Sequence, residues 1–319
     1  MPLTVDPQFR EATLPSVPFD MDLSNDGALL ACATQTTDQA APVVHVLNTR
    51  DGSSATSYMQ RAVEHARGVA FVGDGRELVF LFERVGATQL CRVALDSREP
   101  TELQRYPATV HNHAIIRDQR ATRFAVLGNQ IEIWDATTNQ VMHVLPGARA
   151  GEPVRAAFSR DGSQLYAYGT VEGAVVRYAV ATGKELARWD APSPFGAQVV
   201  VTPDERYLLA AAASHRGMHI YDLTTGKRLE PDADSVIKLD ADSQWRPWVA
   251  SQDSGMFICL KRSLWCLRLP DLENVGPRAK IVEPSNRAWV AAAAWDAPVI
   301  AFGTEDDASV RWFNLASAG

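Results

Sequence analysis

An all-β, seven-bladed β-propeller of four-stranded antiparallel blades is the architecture this sequence predicts, and two observations carry the prediction. A short alternating strand recurs seven times, with aligned core positions at Val46, Val93, Trp134, Tyr178, Tyr221, Cys266 and Phe313 and spacings of 47, 41, 44, 43, 45 and 47 residues. Turn signals return with the same period, at Asn25-Asp26-Gly27, Asp74-Gly75 and Asp161-Gly162, with weaker copies around Asp118, Asp242 and Asp296. Periods of this length mark propeller blades, because one four-stranded unit buries both its faces only when stacked against neighbours. Residues 1–319 therefore read as a single domain, since a radial array is one unit at any such length.

The clearest repeat is Gln198 to Leu229. Its apolar run to Val201 is a central strand ended by Thr202, Pro203 and Asp204; Leu208 to Ala213 is a second strand rich in small residues, as fits close approach of neighbouring blades. Met218 to Leu223 is the third strand, and Thr224, Thr225 and Gly226 turn the chain into an outer strand beginning at Lys227. The recurring Asp and Gly are turn chemistry: Asp bonds to backbone N–H groups two residues on, and Gly accepts positive φ. A row of calcium loops would need the denser DxDxDG pattern, which is absent.

Segments such as AAFSRDGSQLYAYGTVEGAVVRYAVATGKEL (156–186) and VVVTPDERYLLAAAASHRGMHIYDLTTGKRL (199–229) resemble WD40 and YVTN-type propeller repeats. The likeness runs along nearly the whole chain. It implies a fold rather than an activity, because such propellers serve unrelated roles. Only Trp134 and Asp135 reproduce the WD pair; elsewhere it reads Tyr221 and Asp222, Tyr178 and Ala179, or Phe313 and Asn314. The family's buried His, Ser/Thr, Asp and Trp network would fall near His65 and near Glu172 or Asp307, yet no repeat carries the full set. The sixth repeat, Ile237 to Asp271, is the least regular, with Trp245 to Trp248 in its turn and second strand.

The last repeat supplies strands near Ala288 to Ala294, Pro298 to Gly303 and Ser309 to Leu315 and has no outer strand of its own. Residues Leu3 to Leu14 precede the first central strand, Val17 to Leu23, and belong to no repeat. They are expected to form the missing outer strand and close the ring, which removes two free edges.

A net charge of -7 with no Lys/Arg run argues against nucleic-acid binding, which needs a basic stripe. No apolar segment approaches a membrane span, and the N-terminus lacks the basic start and apolar stretch of a signal peptide; a cytoplasmic location is the expectation. Four cysteines fall in no metal or CxxC spacing. Cys32 and Cys91 read as strand fillers, and Cys259 and Cys266 face each other across a hairpin if Arg262 and Ser263 form its turn.

No GxSxG, HExxH, P-loop or GxGxxG is present, so no cofactor is expected. His111 and His113 alternate at the entrance to a central strand and share a face, but two imidazoles are short of a metal site. Glu305, Asp306 and Asp307 lie in the second-to-third-strand hairpin of the last repeat, with Glu172, His215, Arg216 and Arg262 in the same hairpin elsewhere. Arg67, Arg149, Phe195, Arg287 and Trp289 lie on or beside the outer-to-inner crossings of that face. Arg and aromatic residues are enriched at binding hot spots, so this set is the candidate working surface. The expected function is a non-enzymatic scaffold presenting one loop face to a protein or peptide partner. The alternative is a ligand-binding or lactonase-like propeller with its site at the central channel. Small apolar residues along the inner strands, as Ala291 to Ala294 and Val199 to Val201 suggest, favour the first; converging ionisable groups favour the second. Oligomeric state is not legible.

Overall fold

The computed structural model describes residues 3–5, 9–35, 42–58, 65–84, 86–97, 99–107, 112–147, 154–169, 173–191, 196–202, 204–212, 218–229, 248–250, 255–260, 263–268, 273–274, 279–280, 288–297, 299–304 and 308–317. Among them there is no helix, and the strands form seven antiparallel sheets, five of four strands and two of five. Sheet one is Pro18–Leu23, Leu29–Thr34, Val44–Asn48 and Ser54–Tyr58. Sheet two is His65–Val72, Glu77–Arg84, Ala87–Ala94 and Thr101–Pro107; sheet three is Asn112–Arg117, Arg123–Gly128, Gln130–Asp135 and Gln140–Pro146. Sheet four is Arg155–Phe158, Gln164–Tyr168, Ala174–Ala179 and Glu185–Asp190; sheet five is Gly196–Val201, Tyr207–Ala212, Met218–Asp222 and Lys227–Leu229. Sheet six is Trp248–Ala250, Gly255–Leu260 and Ser263–Arg268, with Glu273–Asn274 and Ala279–Lys280 both on its third strand.

Sheet seven mixes the two ends of the chain. Ala288–Ala293, Val299–Thr304 and Ser309–Ser317 are followed outward by Leu3–Val5 and Arg10–Thr13, both antiparallel to Ser309–Ser317. The N-terminal segment thus takes the outer position that the last repeat leaves open.

All seven aligned positions fall on the third strand of a sheet and pair with its second strand. The partners are Val46 with Ala31, Val93 with Leu78, Trp134 with Phe124, Tyr178 with Leu165, Tyr221 with Leu208, Cys266 with Phe257 and Phe313 with Ile300. The repeat read from the sequence is therefore a repeat of register, which a buried face enforces because a one-residue slip would turn every apolar side chain outward.

Hydrophobic clusters lie between consecutive sheets. Tyr58 and Val46 of sheet one meet Phe71, Phe80 and Val93 of sheet two; Leu81 and Leu90 meet Phe124 and Trp134 of sheet three. Further clusters join sheets three to four and four to five. Sheet seven meets sheet one through Val310 and Trp312 against Leu23 and Leu30, with Leu14 of the N-terminal segment in the same cluster. Each large side chain so buried contributes on the order of ~1.5–3 kcal/mol.

The first strands touch in sequence, one to two through to six to seven, and the first strand of seven touches that of one. Two contacts show how closely neighbouring sheets approach: a Cβ added at Gly68 would lie 2.7 Å from the Ile115 nitrogen of the next first strand, and one at Gly303, on the second strand of sheet seven, would lie 2.5 Å from Pro18 Cγ of sheet one. Outer strands reach forward to the next sheet. Tyr58 Oη donates to the Ala94 carbonyl (3.2 Å), Tyr106 Oη to Glu132 (2.6 Å) and Trp189 Nε1 to the Gly226 carbonyl (3.0 Å). Arg10, on the N-terminal strand, does the same from sheet seven to the Thr49 carbonyl of sheet one (2.8 Å), which also accepts from Trp312 Nε1 (2.6 Å).

The turn carboxylates cap backbone. Asp26 accepts from Ala28 N and Ser24 Oγ, and Asp161 from Ser163 N and Ser159 Oγ, which holds both below the usual carboxylate range. One expectation is corrected. Leu260 pairs with Ser263, so the turn is one residue earlier than Arg262-Ser263, and Cys259 lies opposite Leu264 while Cys266 lies opposite Phe257. The two cysteines are not cross-strand partners.

Candidate functional site

The ladder between first and second strands breaks in five of the seven sheets by one inserted residue. The insertions are Phe19 in sheet one, Arg67 in two, His113 in three, Ala197 in five and Trp289 in seven. In sheets two, three, five and seven the bulge falls at the same rung relative to the aligned core position; in sheet one it comes one rung nearer the turn. A bulge leaves its extra residue unpaired and re-aims its side chain, and bulges concentrate at sheet ends beside functional sites. Three candidates from the sequence, Arg67, His113 and Trp289, are thus brought to the same rung of the first strands of sheets two, three and seven.

Arg67 is held on two sides. Its Nε donates to Glu83 Oε2 at 2.6 Å, and its guanidinium carbon sits 5.1 Å over the Phe19 ring. Phe19 in turn meets His65 edge-on at 6.3 Å. Arg67 and Glu83 are 35% and 37% exposed, so solvent screens the ion pair and its worth is positional rather than energetic. Stacking of a guanidinium on an aromatic face fixes the fork while leaving its edge for a ligand carboxylate or carbonyl. Phe19 was missed in the sequence because a bulge inverts the alternation locally without leaving a compositional mark, and Glu83 because only the pairing of its strand with that of Arg67 brings the two together. His111, Arg149, Glu172, Phe195, His215, Arg216, Arg262, Arg287, Glu305 and Asp307 lie outside the described residues.

A second constellation runs along the first strands toward the turn end. Asp20 Oδ2 accepts from Val69 N at 3.0 Å, and Asp22 Oδ2 from Phe71 N at 2.8 Å, so two carboxylates of sheet one bond to the backbone of sheet two. Arg117 of sheet three, 6% exposed, donates from Nε to Asp22 (2.6 Å), from Nη1 to Asn25 Oδ1 (2.6 Å) and from Nη2 to the Leu23 carbonyl (2.6 Å). Arg155 of sheet four adds its charge near Asp20. The small apolar lining suggested by Ala291 to Ala294 and Val199 to Val201 thus does not extend to sheets one, three and four. Arg117 occupies the rung of Asp22, Phe71, Phe158 and Val201, so aligning the repeats by register shows Asp22 and Arg117 as the two charged residues among apolar ones.

Asp20 is packed round by protein, with part of its surface still open. That loss of water, with Asp22 beside it, outweighs the Val69 bond and the Arg155 charge and pushes its pKa up from 3.8 to about 7. An acid whose pKa is higher folded than unfolded binds its proton more tightly when folded, so its contribution is present at low pH and lost as pH rises toward 7. Thermal melting is expected to drop between pH 4 and pH 7, by at most ~1.4 kcal/mol per pH unit. Asp20→Asn, which still offers Val69 an acceptor, flattens that slope and melts higher than the wild type at pH 8. An unchanged slope in the variant contradicts the assignment.

At the turn end, a recess of about 610 Å³ is lined by Asn25, Gln119, Arg120, Arg160, Asp161 and others, from five sheets. Gln119 Nε2 donates to Asp296 Oδ1 (2.8 Å) and Asn25 Nδ2 to the Gln119 carbonyl (2.6 Å), tying the turns of sheets one, three and seven together. Among the described residues no group of three His, Cys, Asp or Glu is arranged to hold a metal ion. No protein-family model matches the chain, and no curated protein matches it in sequence.

Proposed function

We propose that the seven sheets are the blades of one closed, WD40-like β-propeller completed by the N-terminal strands, and that the protein is a non-enzymatic scaffold holding a protein or peptide partner on its bulge end. The unbroken succession of first-strand contacts from sheet one round to sheet seven and back supports the ring. The binding reading is carried by one observation: a repeated backbone bulge falls on a residue of different type in four sheets, Arg67, His113, Ala197 and Trp289, and the Arg67 guanidinium lies over the Phe19 ring. Where structure repeats and chemistry does not, the residues are free to be selected for recognition, and large aromatic and guanidinium groups on rigid strands are what hot spots use.

Affinity capture with the wild type, with Arg67→Ala/Trp289→Ala, and with Arg120→Ala/Arg160→Ala at the opposite end tests this. The bulge-end variant is expected to lose partners that the turn-end variant keeps. Identical recovery from all three contradicts the proposed face.

The second reading, a small-ligand site along the first strands, rests on the meeting of Asp20, Asp22, Arg117 and Arg155. Asp22 and Arg117 already satisfy each other, which favours a locking role over a vacant site. Absence of any captured protein, together with a ligand-induced rise in melting temperature lost in Asp20→Asn, would favour this reading instead.

A further inference from the structure

The layer that joins sheet seven to sheet one holds a buried imidazole with no counter-charge. His45, on the third strand of sheet one, is 7% exposed, and its Nε2 finds no hydrogen-bond partner in the protein. A bond to the Pro42 carbonyl favours the charged ring, but the loss of water outweighs it and holds the pKa below the ordinary 6.5.

Register shows which way the ring faces. His45 lies opposite Cys32 on the second strand and opposite Ser57 on the outer strand, so the three share one face of the sheet. Cys32 and Leu47, the next residue of that face, belong to the cluster shared with sheet seven, whereas Val44 and Val46 pack against sheet two. The same cluster takes in Ala12 and Leu14 of the N-terminal segment, with Val310 and Trp312 of the strand on which that segment pairs.

The titratable and charged groups on the surrounding strands are committed elsewhere. Arg10 donates to the Thr49 carbonyl, Glu11 pairs with Arg311, and Asp20 and Asp22, which alternate with Met21 on the first strand, bond to the backbone of sheet two. Burial keeps the thiol of Cys32, directly opposite, neutral. Among the described residues, no carboxylate acts on His45.

We propose that His45 is an acid-sensitive latch: protonating it puts an uncompensated charge into this apolar layer and makes the N-terminal strands the first part of the protein to open. They yield first because Leu3–Val5 and Arg10–Thr13 each pair with a single strand, at the end of their sheet. The sign follows from burial. A histidine that is harder to protonate folded than unfolded contributes stability at neutral pH that is lost as pH falls below 6.5. Asp20 acts in the opposite sense, so local opening rather than the global melting temperature is the readout.

The test is hydrogen exchange of the full chain at about pH 7.5 and about pH 5, corrected for the intrinsic pH dependence of exchange, in the wild type, His45→Gln and His45→Phe. Either variant suffices if it folds. In the wild type the amides of Arg10–Thr13 are expected to open about tenfold more readily at the lower pH while those of Arg123–Gly128 in sheet three stay protected, and the variants lose the difference. Equal protection of Arg10–Thr13 at both pH values, loss of protection in both sheets together, or a folded variant that keeps the wild-type response overturns the proposal.

Discussion

Deleting residues 1–14 lowers the stability of the protein by on the order of ~5–7 kcal/mol, at about ~1 kcal/mol net for each ladder bond lost. The segment pairs with the C-terminal strand over Leu3–Val5 and Arg10–Thr13. It also supplies Leu14 to the cluster around Trp312, the Arg10 bond to the Thr49 carbonyl, and Glu11 as partner of Arg311 at 3.0 Å. A loss of this size is comparable with the whole stability of a typical domain. The truncated chain is expected to be recovered unfolded, or to unfold at a much lower urea concentration over a broader transition. A cooperative transition at the wild-type midpoint contradicts the structural role assigned to this strand.

Arg117→Ala is expected to cost roughly 3–5 kcal/mol, because it leaves Asp22 as a largely enclosed carboxylate without its cation and strips donors from Asn25 and the Leu23 carbonyl. The effect is larger than for an exposed couple such as Glu185–Arg188, whose charges are screened by water. Urea unfolding of Arg117→Met, Asp22→Asn and the double variant measures the coupling: the double variant should cost clearly less than the sum of the two, since neither charge is then stranded. Additive losses show that the two groups do not act as a unit. Lys is a poor substitute, because one ammonium cannot span the acceptors that the planar fork reaches.

The two effects also mark what could and could not be read from the residues. The third-strand positions from Val46 to Phe313 were legible because burial enforces register, and register writes itself as period and alternation. The turn carboxylates were legible because Asp26 and Asp161 do the same local work in each copy. The N-terminal strand was legible by subtraction, as the last repeat lacked an outer strand and Leu3 to Leu14 lacked a repeat.

The bulges were not legible. In His65-Ala66-Arg67-Gly68-Val69 nothing announces that Arg67 is an insertion, since the pattern resumes one residue out of phase and the small Ala66 and Gly68 hide the step. Arg67, His113 and Trp289 were found by residue type; that three of them share one rung required the pairing. The carboxylates at Asp20 and Asp22 carried no mark of their role in the sequence, because that role comes from the neighbouring first strand, which lies close enough to donate its Val69 and Phe71 N–H groups to them. Proximity between non-consecutive strands has no sequence period and must be seen.

The most direct measurement is a disulfide trap between the chain ends. Glu11 and Arg311 are paired residues of adjacent antiparallel strands, a separation that suits a disulfide; the thiols of Cys32 and Cys91 are buried, and Cys259 and Cys266 are replaced by Ser so that they do not compete. In Glu11→Cys/Arg311→Cys under mild oxidation, peptide mapping should find residues 11 and 311 linked in the folded protein and not in urea at equal dilution. Two thiols that stay open to alkylation in the folded protein would show that the N-terminal strand does not complete the last sheet, and the closed ring built on that pairing would fall with it.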